Sequence, residues 1–407
     1  MTGNRYLLFA LSDWLTGAAL REEKLELVLA ELAERLRAHG VPVDRCRLTW
    51  PTLHPLFEAE TMLWTSTDGV STQRFDRQVH DHEGWLRSTI KWMLDNEQSS
   101  LRARLTQADL EPTFPLYDEM RDEGYTDMLA LRTQIFSTDS PFRQDGGDFG
   151  IYIAWSSKAP GGFDTHAIEL FNQLQPYVAL LSKLIVFPRL IFSVTNTYLG
   201  PTIAREVLGG RITLGSGSQI EALVWYSDLR DSTGLAESMG SEPYLALLND
   251  YFDCTGRAVV EAGGEILAFV GDAVMAIFPI SADDPTAADR ATEQAIMAAQ
   301  AALAARLVVN ERRVALGEPA IRFGIAMCIG EVRLGNIGIS QRLSFSVIGP
   351  SANEVERIEK MTKELDVQVL VTEEITRQSP ALWRPMGAYP LRGLRNEVEL
   401  FALAAAV

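Results

Sequence analysis

Apolar residues fall at helical spacing between Leu15 and Ala38. Leu25, Leu27, Leu29, Leu32 and Leu36 mark a face, and Glu and Arg fill the remainder. Residues three and four apart share a helix face, so this pattern predicts an amphipathic helix, which Gly40-Val-Pro42 ends. The period then changes to two. Cys46–Trp50, Thr61–Thr65 and Val70–Thr72 alternate apolar and polar residues between turn formers and predict short strands. His80–Asp122 is mixed and polar, and is expected to form helical turns and loops. Phe149–Trp155 is a further strand, and Asp164 or Thr165 is placed to cap a helix from His166. From Ile168 to Ile185 apolar residues return to helical spacing, and the helical run extends to about Leu208 with Pro188 breaking or kinking it. Such a striped helix fits two roles: burial on its own domain, or pairing with a second copy. Gly209-Gly210 and Leu214–Ser218 predict a loose linker and a domain boundary.

The second half alternates strand and helix patterns. Ile220–Ser227 predicts a strand and Glu242–Ala262 a helix. Glu265–Val270 and Ala273–Phe278 predict a hairpin, followed by a long helix over Thr286–Leu316. Ile321–Ile329 predicts a strand turning at Gly330-Glu331 into Val332–Gly335, and Leu343–Ile348 another. A helix over Ala352–Leu365 precedes a strand at Val367–Thr372, with late strands near Leu391 and at Glu399–Leu403. The order is α+β: a ferredoxin-like βαββαβ pattern with an added hairpin.

Composition narrows the function. At 407 residues the chain is long enough for two or three domains. A formal charge of −17 argues against a nucleic-acid partner and against docking on an anionic membrane. A polyphosphate remains a possible partner where metal ions bring the positive charge. The three cysteines, Cys46, Cys254 and Cys328, lie far apart without CxxC spacing, which fits a reducing cytoplasm. The N-terminus is not read as a signal peptide, since Asp13 interrupts its apolar stretch. The most apolar run, Val178–Leu199, contains Lys183 and Arg189 and is not read as a membrane span. His80-Asp-His82 is read as a solvated loop rather than half a metal site, and Trp50, Trp64 and Trp155 as core. All five histidines lie in the first half, so chemistry in the second half proceeds without an imidazole base.

Two carboxylates stand out there. Asp228 ends the apolar strand Ala222–Ser227, and Asp272 lies in the Gly271-Asp272 turn of the predicted hairpin. Strand-end acids that meet make a hard, all-oxygen site suited to magnesium and, through it, a nucleoside triphosphate. Asn353 and Arg357, four apart, share one face of the following helix.

Three motifs resemble the catalytic domain of class III nucleotidyl cyclases, over roughly Ile220–Ala404: Trp225-Tyr-Ser-Asp228-Leu-Arg-Asp-Ser-Thr233; Gly263-Gly-Glu followed by Gly271-Asp272-Ala-Val-Met; and Ser346-Val-Ile-Gly349-Pro-Ser-Ala-Asn353-Glu-Val-Glu-Arg357. The resemblance implies an adenylate cyclase that turns ATP into cyclic AMP and pyrophosphate. It implies two Mg²⁺ or Mn²⁺ ions on Asp228 and Asp272. Backbone N–H groups around Leu229, Ser232 and Thr233 would face the phosphates, and Asn353 and Arg357 would act on the ribose and the charged phosphorane. It also implies a head-to-tail homodimer, with the aspartates from one chain and Asn353 and Arg357 from the other. On order alone the first half resembles a GAF-like sensory domain. The expected layout is residues 1–165 as this domain, 166–215 as connecting helix and linker, and 216–407 as catalytic domain.

This sequence departs from the family pattern at several places. Ala268 stands where the family's purine-reading Lys sits, and Ser346 where its partner reader is commonly Asp or Thr. Loss of one such hydrogen bond costs roughly 1–3 kcal/mol, which lowers activity without abolishing it. Asp231-Ser232 replaces the family's Gly-Phe and adds a carboxylate near the triphosphate. Arg392 or Arg395 stands where a Lys often contacts phosphate. The competing readings are a degenerate cyclase domain that binds nucleotide or a partner, and a guanylate cyclase.

Overall fold

A computed structural model of the chain describes residues 2–77, 82–136, 150–394 and 396–404. They divide into two units, Met1–Thr197 and Tyr198–Val407.

The first unit opens with α1 (Thr2–Leu20) and α2 (Leu25–Ala38). The single helix expected over Leu15–Ala38 is thus two, because the chain turns at Arg21–Lys24, where Glu22 takes a φ of 53°. Three antiparallel strands follow, β1 (Arg45–Pro51), β2 (Phe57–Thr65) and β3 (Gly69–Asp76). The polar segment folds into α3 (His82–Leu86), α4 (Thr89–Asp95), β4 (Ser100–Ala103) and α5 (Pro115–Asp122). β5 (Asp127–Gln134) and β6 (Gly150–Ser157) complete an antiparallel sheet of order β3-β2-β1-β6-β5-β4. The sequence pattern did not reveal β4 and β5. His80 and the side chain of His82 lie outside the described residues.

Alternation along β1 sends Cys46, Leu48 and Trp50 into a core beneath α1, α2 and α6 (Thr165–Leu199). Trp64 and Trp155 enter the same core, where Trp155 stacks on Phe171 with centroids 4.8 Å apart. The opposite face of the sheet carries Arg45, Arg47 and Thr49, with α4 and α5 packed over its β4–β5 end through Met93, Tyr117 and Met120.

Asp164 caps α6, its side chain accepting from the Ala167 N–H at 2.7 Å. The helix runs without a break through Pro176 and Pro188. Among the described residues it is the one helix long and apolar enough to cross a membrane. Its Lys and its Arg are both engaged within the unit. Lys183 donates to the Ile135 carbonyl at 2.7 Å, and Arg189 approaches Glu26 at 3.4 Å. Leu170, Leu174 and Leu181 are buried on the sheet, while Tyr177, Leu180, Leu184 and Ile191 remain exposed at coiled-coil spacing.

The second unit comprises α7 (Pro201–Leu208), β7 (Gly217–Leu229), α8 (Ser232–Met239), α9 (Ser241–Glu261), β8 (Glu265–Val270), β9 (Ala273–Ile280) and α10 (Ala287–Ala315). It continues with β10 (Phe323–Ile339), β11 (Arg342–Ile348), α11 (Pro350–Glu364), β12 (Val369–Thr372), α12 (Glu373–Thr376), β13 (Trp383–Pro390) and β14 (Glu397–Leu403). The expected βαββαβ core is present as β7, α9, β8, β9, α10 and β10. Its sheet has the order β13-β14-β12-β10-β7-β9-β8, with β11 paired to β10. α9 and α10 cover one face, and α11 the other. The segment read as a loose linker is fastened: the buried Asn336 donates to the Arg211 carbonyl at 2.8 Å, and Gly215 N–H donates to the Asn336 carbonyl at 2.9 Å.

The turn expected at Gly330-Glu331 is absent, and β10 continues through it. Gly330 is required for space rather than for a turn. A Cβ there would meet the Ser351 Oγ of α11 at 2.2 Å. Gly324 plays the same part near the other end of that helix, where a Cβ would meet Thr362 Oγ1 at 2.2 Å and Glu359 Oε1 at 2.3 Å.

Candidate active site

Successive side chains of β7 alternate between the sheet's two faces. Leu223 and Trp225 enter the core under α9 and α10, whereas Ala222, Val224 and Tyr226 enter the core under α11. The same parity places Asp228 on the α11 side at the strand's end, opposite Ala273 of β9 and Gly324 of β10. Asp272 occupies the tight turn between β8 and β9, next to Gly271, whose φ of 65° is the left-handed conformation such a turn requires. The Leu229 N–H donates to the Asp272 carbonyl at 3.3 Å and ties the two acid-bearing segments together.

The carboxyl groups of Asp228 and Asp272 lie within hydrogen-bonding reach of each other. Burial holds the Asp228 carboxyl well above the usual carboxylate range. The charges of Asp272 and Glu359 push it the same way, and Lys360 opposes them. Glu359, buried on α11, is pushed up to about 7, first by its burial and further by Asp272, while the Thr362 hydroxyl, Arg230 and Lys360 hold it down. Burial also raises the phenol of Tyr226, and Asp228 adds to the effect.

This arrangement fits a divalent cation. Two strand-end carboxylates pressed together repel each other, and a hard cation between them replaces that repulsion with ligation. Among the described residues no group of three or more His, Cys, Asp or Glu gathers in metal-binding geometry, and the Asp228–Asp272 pair could hold a cation as two of its ligands.

The backbone beyond Asp228 leads into α8 through Asp231, which adopts the left-handed conformation with φ of 61°. The first bond of this helix runs from the Leu235 N–H to the Asp231 carbonyl at 3.0 Å. The N–H groups of Ser232 and Thr233 precede it and point out of the helix start, an arrangement that suits phosphate oxygens. Leu229 is buried behind them. The Asp231 side chain is engaged by Arg322, with Lys363 at 3.9 Å. It is thereby directed to these cations rather than to the Asp228–Asp272 pair.

Asn353 and Arg357 lie toward the first half of α11, exposed and half-buried respectively. Asn353 donates to the Gly349 carbonyl at 3.2 Å. A helix turns about 100° per residue, which sets Arg357 about 200° from Glu359 around the axis. Glu359 faces this chain's own aspartates, so Arg357 faces away from them. The Arg357 guanidinium lies beside Gly393, in the turn between β13 and β14, where an added Cβ would stand 3.5 Å from it. The neighbouring Arg392 is exposed and makes no hydrogen bond or ion pair among the described residues. Arg395 lies outside the described residues. Ala268 is half-buried on β8 beside a register shift, and Ser346 is half-buried on β11 opposite Gly335, with β11 running close to β8.

Sequence reasoning missed Glu359 and Arg230. Arg230 donates to the carbonyls of Thr362 and Val367 at 2.9 and 2.5 Å, locking the end of α11 to the segment after Asp228. The available signal was periodicity: Val355, Ile358 and Thr362 mark the buried stripe of α11, and Glu359 is the carboxylate on it.

A titration follows from these environments. A carboxyl whose folded-state pKa is raised favours the fold while protonated. For Glu359 that contribution is complete below pH 4.5 and is lost as pH rises to about 7. Asp228 acts in the same direction. Metal-free protein should lose stability from this source across that window, and Mg²⁺ should raise the melting temperature more above it than below it. Glu359→Gln should flatten the metal-free dependence. Thermal unfolding across the pH range, with and without Mg²⁺, measures both effects.

Residues 217–405 match the family described as "Adenylate and Guanylate cyclase catalytic domain". An adenylate cyclase of Anabaena cylindrica is 34% identical over 169 residues, covering 41% of this chain and 32% of that protein. Adenylate cyclase 1 of Rhizobium meliloti is 26% identical over 189 residues, covering 46% and 28%. The match thus spans about a third of these relatives' length. The crystal structure of the adenylyl cyclase CyaB from P. aeruginosa matches with a TM-score of 0.40 at 23% identity, over 47% of this chain and 97% of that one.

Proposed function

We propose that residues 217–405, a class III adenylate/guanylate cyclase catalytic domain, convert ATP to cyclic AMP and pyrophosphate at a site completed by a second copy of the chain. The observation that carries this reading is the disposition of acids and bases around α11. Asp228 and Asp272 meet on one side, with Glu359 behind them, and Arg357 lies on the opposite side of the same helix. A chain arranged this way presents two halves of a site that do not face each other. A head-to-tail dimer brings unlike halves together twice. Exposed apolar residues support such pairing: Phe269 and Val270 at the end of β8, and Ile337, Ile339 and Leu343 around the β10–β11 hairpin. The exposed stripe on α6 fits the same stoichiometry.

In the reaction, the ribose 3′-oxygen attacks the α-phosphorus and pyrophosphate leaves. Two Mg²⁺ ions held by Asp228 and Asp272 would lower the pKa of the attacking hydroxyl and neutralise the triphosphate. The N–H groups of Ser232 and Thr233, following Leu229, bind the β- and γ-phosphates. From the partner chain, the amide at position 353 holds the ribose, and the guanidinium at position 357 stabilises the charge on the phosphorane. Arg392, exposed and next in sequence to the Gly393 that Arg357 flanks, would meet the triphosphate as well. Ser346 contributes one hydrogen bond to the purine. The N-terminal unit regulates this activity.

The assay is release of cyclic AMP and pyrophosphate from ATP with Mg²⁺ or Mn²⁺, run in parallel with GTP. Preference for GTP would favour the guanylate reading. No product from either nucleotide would favour a domain that binds nucleotide without turning it over, the reading that Ala268 supports. Ala268→Lys restores a base-reading donor and should raise kcat/KM for ATP about ten-fold or more.

A further inference from the structure

The first unit holds a cavity of about 840 Å³ between the sheet face opposite the tryptophan core and the helices α3, α4 and α5. Its wall includes Arg47, Thr49, Phe75, Ile90, Leu116 and Tyr152. This volume suits a drug-sized organic molecule. Charge is distributed unevenly across it. Glu58, Arg74, Asp76, Glu83, Arg87 and Glu119 all stand exposed at the lip, where water screens them. Two of the cations there are already paired, Arg74 with Glu60 and Arg87 with Glu83, each at 3.3 Å.

Deeper in, Arg47 is half-buried and makes no hydrogen bond or ion pair among the described residues; its guanidinium lies 5.9 Å from the centre of the Phe75 ring. Arg45, two residues earlier on the same face of β1, adds a second positive charge and is likewise without a carboxylate partner among the described residues. Burial lowers the Arg47 pKa and Arg45 lowers it further, with Glu119 the one carboxylate that counters them. Charges withdrawn from water are ordinarily paired. Here the cavity presents a half-buried guanidinium that no carboxylate among the described residues hydrogen-bonds, a position a carboxylate or phosphate of a bound molecule would fill.

We propose that this cavity binds a small organic anion, one acidic group on a flat apolar body, with the acid on Arg47 and the body against Phe75, Ile90 and Leu116. Arginine forks onto planar oxyanions, so the charged contact should carry much of the selectivity. The test uses the full chain and two fluorescent probes of like shape, anilinonaphthalene sulfonate and its uncharged counterpart N-phenylnaphthylamine. The expected result is one saturable site that prefers the sulfonate by about ten-fold or more. Arg47→Gln should erase that preference and leave the neutral probe's affinity in place. Ala59→Trp, which fills the cavity from β2, should remove both probes. Equal affinity of the two probes for the native chain would overturn the proposal without any variant. Retention of the preference in a folded Arg47→Gln chain, or binding of both probes to Ala59→Trp, would overturn it too.

Discussion

Asp272→Ala should lower cyclic AMP formation at least about a thousand-fold, a loss of roughly 4 kcal/mol of transition-state stabilisation. The reason is geometric. In the proposed mechanism the metal would be held by carboxylates from two segments, the end of β7 and the β8–β9 turn, and among the described residues no group of three or more such ligands gathers. Removal of one leaves a lone half-buried acid that cannot hold two cations against a triphosphate. The fold should be untouched. Asp272 occupies a turn, and its charge raises the pKa of Asp228, so its removal relieves repulsion in metal-free protein. Circular dichroism and the metal-free melting temperature should therefore match or exceed those of the parent, while the Mg²⁺-dependent rise in melting temperature disappears. A variant that lost activity together with its metal-free stability would assign Asp272 a structural part instead.

Mixing two dead chains should revive the reaction. Arg357→Ala alone should be nearly as damaging as Asp272→Ala, because each change disables both sites of a symmetric dimer. In a mixed dimer one site receives both lesions and the other receives neither. With free exchange half of the dimers are mixed, and each has one working site of two, so recovery should approach about a quarter of the parent activity. From a background near a thousandth, that is a gain of a few hundred-fold. Absence of recovery, with exchange verified by tagged chains, would place the whole site within one chain.

The second unit was far more legible than the first. Its central strands β7, β9, β10 and β12 are buried on both faces over much of their length and the chain is punctuated by glycine turns, so apolar runs and Gly271-Asp272 located both acids. The N-terminal sheet hid β4 and β5, since Ser100–Ala103 is short and Asp127–Gln134 mixes charges with its apolar residues. Glycine also misled: Gly330 signalled a turn, but its missing side chain serves the approach of α11. Glu359 went unnoticed because its significance arises only where α11 crosses β10, a contact the linear pattern does not encode. The same holds for Arg47, a polar position of an alternating strand like any other until the helices close over it.

In the proposed dimer α11 belongs to two reaction centres at once. Glu359 backs the metal pair of its own chain, and Arg357 reaches the substrate of the other. Gly324 and Gly330 seat the helix closely on β10 near both ends, and Arg230 clamps its end, so it is held as a rigid rod. A shift of that rod on occupancy of one centre is transmitted to its twin. Nucleotide affinities at the two centres are then thermodynamically linked, and titration of ATP should depart from independent, identical sites.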